Sequence, residues 1–156
     1  MSIEKAKEYL AKYDLDKKVL ELKLSSATVK DAAIALSCSE GEIAKTLSFI
    51  VDEKPILIVT AGDKKIDNSK YKKEFNCKAK MIPFDEVEDK IGHKVGGVCP
   101  FGINDNVIVY LDESLKEHKY VYPACGSGNS AIKLTIKELE SISNFTKWVD
   151  VCKTIE

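Results

Sequence analysis

The segment Gly96-Gly97-Val98-Cys99-Pro100-Phe101-Gly102 constrains this chain more than any other. Three glycines and a proline in seven residues fit neither a helix nor a central strand. Glycine opens backbone dihedrals closed to other residues, and proline fixes its own φ and removes a donor. The segment is therefore a loop, and one that brings bare N–H and C=O groups close to a ligand. The rest of the chain offers no evident catalytic triad or metal-ligand cluster. If the chain is an enzyme, it works largely with backbone groups and positioning.

At 156 residues the chain is expected to form one domain, spanning 1–156, with a sizeable core. A hydrophobic fraction of 44% beside 31% charged residues is that of an ordinary globular protein. No apolar run approaches a membrane span, and the start Met1-Ser2-Ile3-Glu4-Lys5 lacks a signal-peptide apolar segment. A cytoplasmic protein is the expectation. All 24 positive side chains are lysine, and arginine and glutamine are absent. No guanidinium fork is available, so any phosphate contact comes from lysine, hydroxyls or backbone N–H groups. The net charge of -1 gives no global argument for nucleic acid. Locally, Lys64, Lys65, Lys70, Lys72, Lys73, Lys78 and Lys80 face only Asp67 and Glu74, a net of +5. Such a run is either a solvated helix face or a patch for a polyanion.

Cys38, Cys77, Cys99, Cys125 and Cys152 are odd in number and widely spaced, with no Cys-x-x-Cys. Neither a zinc knuckle nor a thioredoxin-like motif is present, and reduced thiols are expected.

Ile3, Ala6, Tyr9, Leu10 and Tyr13 fall on one face of a first helix. Alternation from Val19 to Leu24 predicts a short strand. Ser26 or Thr28 can cap a second helix through Ala32, Ala33, Ile34 and Leu36. Ser39-Glu40-Gly41-Glu42 has capping-box spacing, and the turn it opens delivers Lys45 to the mouth of a strand. Thr46 to Val51 and Pro55 to Thr60 read as a hairpin. Asp67 caps a lysine-rich helix to about Phe75, and Pro83 and Asp85 start another through Val87 and Ile91. Strands follow at Val107 to Leu111, Lys119 to Tyr122 and Ser130 to Leu134, with the tight loop Gly126-Ser127-Gly128-Asn129 before the last. Thr135 to Glu138 is a second capping box, opening a helix over Leu139 and Ile142, and Phe145 to Val151 closes the chain. Interleaved strands and helices predict an α/β or α+β domain with a mixed sheet.

Lys45 is a candidate phosphate or carbonyl partner, although a lysine at a helix-to-strand junction is ordinarily solvated. The glycine loop is not a Walker motif, because no Gly-Lys-Ser/Thr follows, and it is not a dinucleotide fingerprint. Cys99 and Cys125 sit in or beside glycine-rich turns, where nucleophiles often sit. His93 and His118 are the two possible imidazole partners, and nothing in the spacing pairs them. Ser127 and Ser130 can bind a ligand or stabilise a turn. Asp85, Glu86, Glu88 and Asp89 read as a solvated helix face.

In order, four segments resemble the YbaK and prolyl-tRNA-synthetase-associated editing domains, which are aminoacyl-tRNA deacylases. These are Ile43-Ala44-Lys45-Thr46-Leu47-Ser48-Phe49, Ile58 to Asp67, Gly96 to Gly102, and Gly126-Ser127-Gly128 before the strand Ala131 to Leu134. The resemblance implies a barrel-like, mixed but mostly antiparallel sheet surrounded by helices. It implies hydrolysis of the ester between a wrong amino acid and the terminal adenosine of a tRNA, most of all tRNA(Pro) carrying Cys or another small amino acid. Lys45, Gly96, Gly97 and Pro100 would carry the chemistry, with Lys45 orienting the terminal nucleotide and the loop placing backbone groups around the carbonyl and the water. Thr46, Val98, Cys99, Phe101, Gly102, Gly126, Ser127 and Gly128 would contact substrate. Lys64, Lys65, Lys70, Lys72 and Lys73 would lie near the acceptor stem. No cofactor, metal, membrane or protein nucleophile is implied. The resemblance leaves open a transient partnership with prolyl-tRNA synthetase and the oligomeric state.

Thr46 after the lysine matches the branch similar to cysteinyl-tRNA(Pro) deacylases, whereas the alanine-editing branch more often carries Asn. Cys99 and the segment Tyr122 to Ser130 depart from the family pattern, which leaves the amino acid open. Two other readings remain at this point: a non-catalytic tRNA- or nucleotide-binding module on the same fold, and a thiol enzyme using Cys99 or Cys125.

Overall fold

The computed structural model describes residues 2–155; Met1 and Glu156, the ends of the expected 1–156 span, lie outside the described residues. Helix α1 (Ser2–Ala11) buries Ala6 and Leu10 completely, as its apolar spacing requires. The predicted strand at Val19 to Leu24 shrinks to β1 (Leu20–Glu21), whose two residues pair with β7 (Ser130–Ala131). Helix α2 (Val29–Leu36) starts at Thr28, whose hydroxyl accepts the Asp31 N–H. The capping box Ser39 to Glu42 forms as read and closes a single 3₁₀ turn.

The central hairpin is β2 (Ile43–Val51) and β3 (Lys54–Ala61), joined through Asp52 and Glu53 at φ 50° and 65°. Two consecutive positive φ values give the primed two-residue turn that matches strand twist. Strand β2 therefore begins at Ile43, and Lys45 is its third residue rather than a junction residue. A short strand, β4 (Lys64–Ile66), was not foreseen in the lysine run; it pairs with β10 (Cys152–Thr154). Helix α3 (Asn68–Phe75) is capped by the Asp67 carboxylate on Ser69 and Lys70 N–H. A 3₁₀ turn at Phe84–Glu86 leads into α4 (Val87–Ile91). Strands β5 (Ile108–Asp112) and β6 (Tyr120–Pro123) follow. The strand predicted from Ser130 to Leu134 splits into β7 and β8 (Leu134–Thr135), and α5 (Ile136–Ile142) and β9 (Lys147–Val149) lead to β10.

The main sheet runs β8-β6-β2-β3-β5-β9 and is curled into a half-barrel. Its pairing is mixed: β8–β6 and β2–β3 are antiparallel, while β6–β2, β3–β5 and β5–β9 are parallel. The two small sheets are antiparallel. Strand β3 is buried from Pro55 to Ala61 because apolar layers cover both of its faces. One layer joins α1 and α5 through Leu10, Leu111 and Leu139; another sets Tyr71 of α3 on Phe49 at 5.2 Å.

One strand edge positions the site. Strand β2 pairs with β6 only at Ile43 and Ala44. Further along, Ile82 N–H donates to the Ser48 carbonyl at 3.1 Å and Ile50 N–H to the Lys80 carbonyl at 2.9 Å. Between Ala44 and Ser48 that edge has no strand beside it among the described residues. Gly62 fixes where β2 starts: a Cβ there would sit 2.1 Å from the Glu40 carbonyl oxygen, so only glycine lets the capped turn lie on the β3–β4 bend.

Candidate functional site

A cavity of about 430 Å³ opens at this unpaired edge of β2. Successive residues of a strand project to opposite faces. Residues Ile43 to Ser48 nonetheless all line the cavity, because it meets the strand at its edge. The other walls are the loop Ser26 to Val29, the 81–87 segment, Val95, Gly96 and Val98 of the glycine loop, and Tyr122, Ala124, Ser130 and Ala131.

Two residues of the cavity wall carry buried hydroxyls without partners among the described residues. They are Thr46 Oγ1 and Ser26 Oγ. Strand alternation also turns the Thr46 N–H and C=O outward, like those of Ser48 and Ile50, but opposite Thr46 no chain accepts them. Buried polar groups are ordinarily satisfied, so a cluster of unsatisfied ones on one cavity wall makes that wall a candidate for contact with a polar ligand.

Lys45 is half-buried beside them. Its Nζ donates to the Lys64 carbonyl. Burial pulls its pKa below the ordinary lysine range, and the nearby Cys152 and Asp63 oppose that shift. Asp63 Oδ1 is itself buried without a hydrogen-bond partner among the described residues.

The glycine loop divides between two faces. Gly96, at φ 97°, and Val98 line the cavity, and neither N–H has an intramolecular acceptor among the described residues. Gly97 lies beneath them with both backbone groups engaged: its N–H donates to the Lys94 carbonyl and its C=O accepts from Gly126 N–H, each at 3.0 Å. It is therefore not available to surround a substrate carbonyl. Cys99 and Phe101, expected to contact substrate, are fully buried in the core. Pro100 and Gly102 turn away and line a second cavity with Lys5, Tyr9 and Asn144. The burial of Cys99 and Phe101 in the core draws this half of the loop inward. Gly126, Ser127 and Gly128 act from behind: Gly126 holds Gly97, the Gly128 carbonyl accepts Ser26 N–H at 2.6 Å, and Ser127 Oγ donates to Ser130 Oγ at 2.8 Å.

The structure does pair a cysteine with a histidine, which spacing alone had not suggested. Cys99 Sγ lies 3.5 Å from His93 Nε2, which also meets the Phe101 carbonyl. Both residues are fully buried away from the cavity. Burial pushes the Cys99 thiol up to about 12 and lowers the His93 pKa. That is the reverse of an activated thiolate–imidazolium pair. Cys125 is buried and its pKa likewise raised by burial.

Of the lysines expected near the acceptor stem, Lys64 pairs with Glu117 at 3.7 Å and Lys70 with Asp150 at 3.1 Å. Lys65, Lys72 and Lys73 are exposed and have no ion pair among the described residues. Among those residues no group of three or more His, Cys, Asp or Glu could hold a metal ion, and no helix is long and apolar enough to cross a membrane. Sequence reasoning missed Ser26, Ala27, Met81, Phe84 and Val95 as lining residues. The Ser-Ser-Ala-Thr run before α2 and the aromatic after Pro83 were the available signals.

Known proteins agree with this architecture. YwhH of Bacillus subtilis strain 168, itself uncharacterized, is 47% identical over 157 residues, covering all of both chains. EbsC of Enterococcus faecalis, a proposed Cys-tRNA(Pro)/Cys-tRNA(Cys) deacylase, is 25% identical over 119 residues, 75% of this chain and 73% of its own. A crystal structure of a proposed trans-editing enzyme for prolyl-tRNA synthetase superposes with a TM-score of 0.87 at 28% identity, covering 97% of each chain. The family described as the aminoacyl-tRNA editing domain matches residues 25–142, which takes in the cavity, the lysine and both glycine loops, and the chain belongs to that family.

Proposed function

We propose that the protein is a trans-editing deacylase that hydrolyses the ester of a mischarged tRNA, with tRNA(Pro) carrying Cys or another small amino acid as its substrate. The observation that carries this reading is that Ser26, Thr46, Lys45, Gly96 and Val98 all line one cavity, while the Ser26 and Thr46 hydroxyls and the Gly96 and Val98 N–H groups lack hydrogen-bond partners among the described residues. Family membership and the names given to EbsC and to the trans-editing neighbour support the same substrate class.

In the proposed reaction a water oxygen bonds to the ester carbonyl carbon, giving a tetrahedral oxyanion. The bond from that carbon to the ribose oxygen then breaks, and the water's proton passes to the ribose oxygen. An aminoacyl ester is already activated, so positioning the water and stabilising the oxyanion supply much of the rate. Lys45 orients the terminal nucleotide and ester, Gly96 and Val98 N–H are the donors open to the oxyanion, and Thr46 and Ser26 bind polar groups of the aminoacyl-adenosine. Gly97 and Pro100 shape the loop. The substrate's own ribose hydroxyl stands in for a protein base. Lys65, Lys72 and Lys73 supply a salt-sensitive attraction for the acceptor stem.

The test is a deacylation time course on tRNA(Pro) charged separately with Cys, Ala, Ser, Thr and Pro. Rapid loss of one mischarged species and slow loss of Pro supports the reading and names the amino acid. Salt-dependent tRNA binding without turnover of any of the five would replace it with a binding module.

A further inference from the structure

We infer that Phe84 is a stacking platform for the base that precedes the terminal adenosine of the substrate, an inference that rests on the deacylase reading. Phe84 is 78% exposed, the most exposed of the large apolar side chains among the described residues. Isolated exposed apolar residues are ordinary, but here they cluster. Met81 at 57%, Phe84 and Val95 at 47% exposure all line the same cavity.

The backbone that carries the ring is held on both sides. Pro83, at φ -55°, fixes the chain before it, and the turn Phe84–Glu86 runs into α4, whose Val87 and Ile91 are buried. Asp85 and Glu86 follow directly, which disfavours a phosphate at this point. What the position offers is a π-face. Exposed Lys94 adjoins Val95 and supplies a cation for the linking phosphate.

The cavity volume of about 430 Å³ falls in the range of a site for one small ligand. An aminoacyl-adenosine occupies it, and the strand leaves over the apolar rim. The next base is unpaired and loses its neighbour on one side. Proteins recognise such bases by stacking them on aromatic rings.

Phe84→Ala tests this without threatening the fold, because the ring is exposed. On aminoacyl-tRNA the variant raises KM roughly 5- to 100-fold and leaves kcat unchanged. On an aminoacyl ester of adenosine, which lacks the preceding base, the rise in KM is several-fold smaller, and Phe84→Trp keeps the wild-type KM on both substrates. An equal loss on both substrates, or no loss on either, overturns the inference. A second readout does not depend on turnover. Fluorescence of Phe84→Trp is titrated with a CCA trinucleotide carrying a non-hydrolysable 3′-aminoacyl amide, with wild type reporting the background from Trp148. Quenching by the trinucleotide but not by the adenosine analogue supports the platform, even if no ester is turned over and the hydrolase reading falls. Ester turnover without quenching rejects the platform and leaves the hydrolase reading standing.

Discussion

The carbonyl of Gly97 accepts a hydrogen bond from Gly126 N–H at 3.0 Å, tying the two glycine loops together backbone to backbone. A Cβ on Gly97 would stand 2.4 Å from both the Gly126 carbonyl carbon and the Ser127 nitrogen. Gly97→Ala therefore drives the loops apart. The expected cost is about 1–3 kcal/mol of stability, the usual price of overpacking, accompanied by a fall in kcat as Gly96 and Val98 move. Denaturant unfolding and steady-state kinetics on one preparation check both effects.

Thr46→Val separates binding from folding. The hydroxyl it removes has no partner among the described residues, so stability stays unchanged or rises by up to about 1 kcal/mol. Loss of the hydrogen bond to substrate lowers kcat/KM roughly 2- to 10-fold. A loss of stability in thermal unfolding would show that the hydroxyl serves the fold instead.

Lys45 carries a pH signature. Burial lowers its pKa in the folded chain below its unfolded value. The unfolded chain then holds more proton between those two values, so the lysine's contribution to stability improves as pH rises through that window. Below the window the full penalty of a buried ammonium remains. Lys45→Met is expected to lose activity yet unfold at a higher Tm at neutral pH, with the advantage shrinking as pH climbs toward the ordinary lysine range. Thermal unfolding of both proteins across alkaline pH reads this directly; in a chain of this size each kcal/mol moves Tm by about 2–4 °C.

The thiols divide by burial. Cys99 and Cys125 are fully buried, whereas Cys38 and Cys77 are partly exposed. Iodoacetamide under native conditions is expected to label Cys38 and Cys77 first and to leave deacylation intact while Cys99 and Cys125 stay unmodified. Peptide mass spectrometry against residual activity is the measurement.

Local signals carried far into this fold. Both capping boxes, the Thr28 and Asp67 caps and the central hairpin follow from spacing that depends only on near neighbours. Strand β4 was hidden because its pairing to β10 is a contact across nearly ninety residues, and lysines carry no strand signal of their own. At the site, Lys45 and Thr46 were legible as neighbours in a motif, but which half of the glycine loop meets the cavity was not. That depends on the burial of Cys99 and Phe101 against α1. The pairing of Cys99 with His93 was likewise a product of the loop's inward path.

The most direct measurement is single-turnover deacylation of the preferred mischarged tRNA by wild type, Lys45→Ala and the double variant Cys99→Ala, Cys125→Ala. A hydrolase that works by positioning and backbone donors predicts a fall of roughly 10²- to 10³-fold in Lys45→Ala. The double cysteine variant should keep its rate, with only the stability loss expected of a trimmed core. Wild-type rates in Lys45→Ala, or a dead double cysteine variant, would contradict the account.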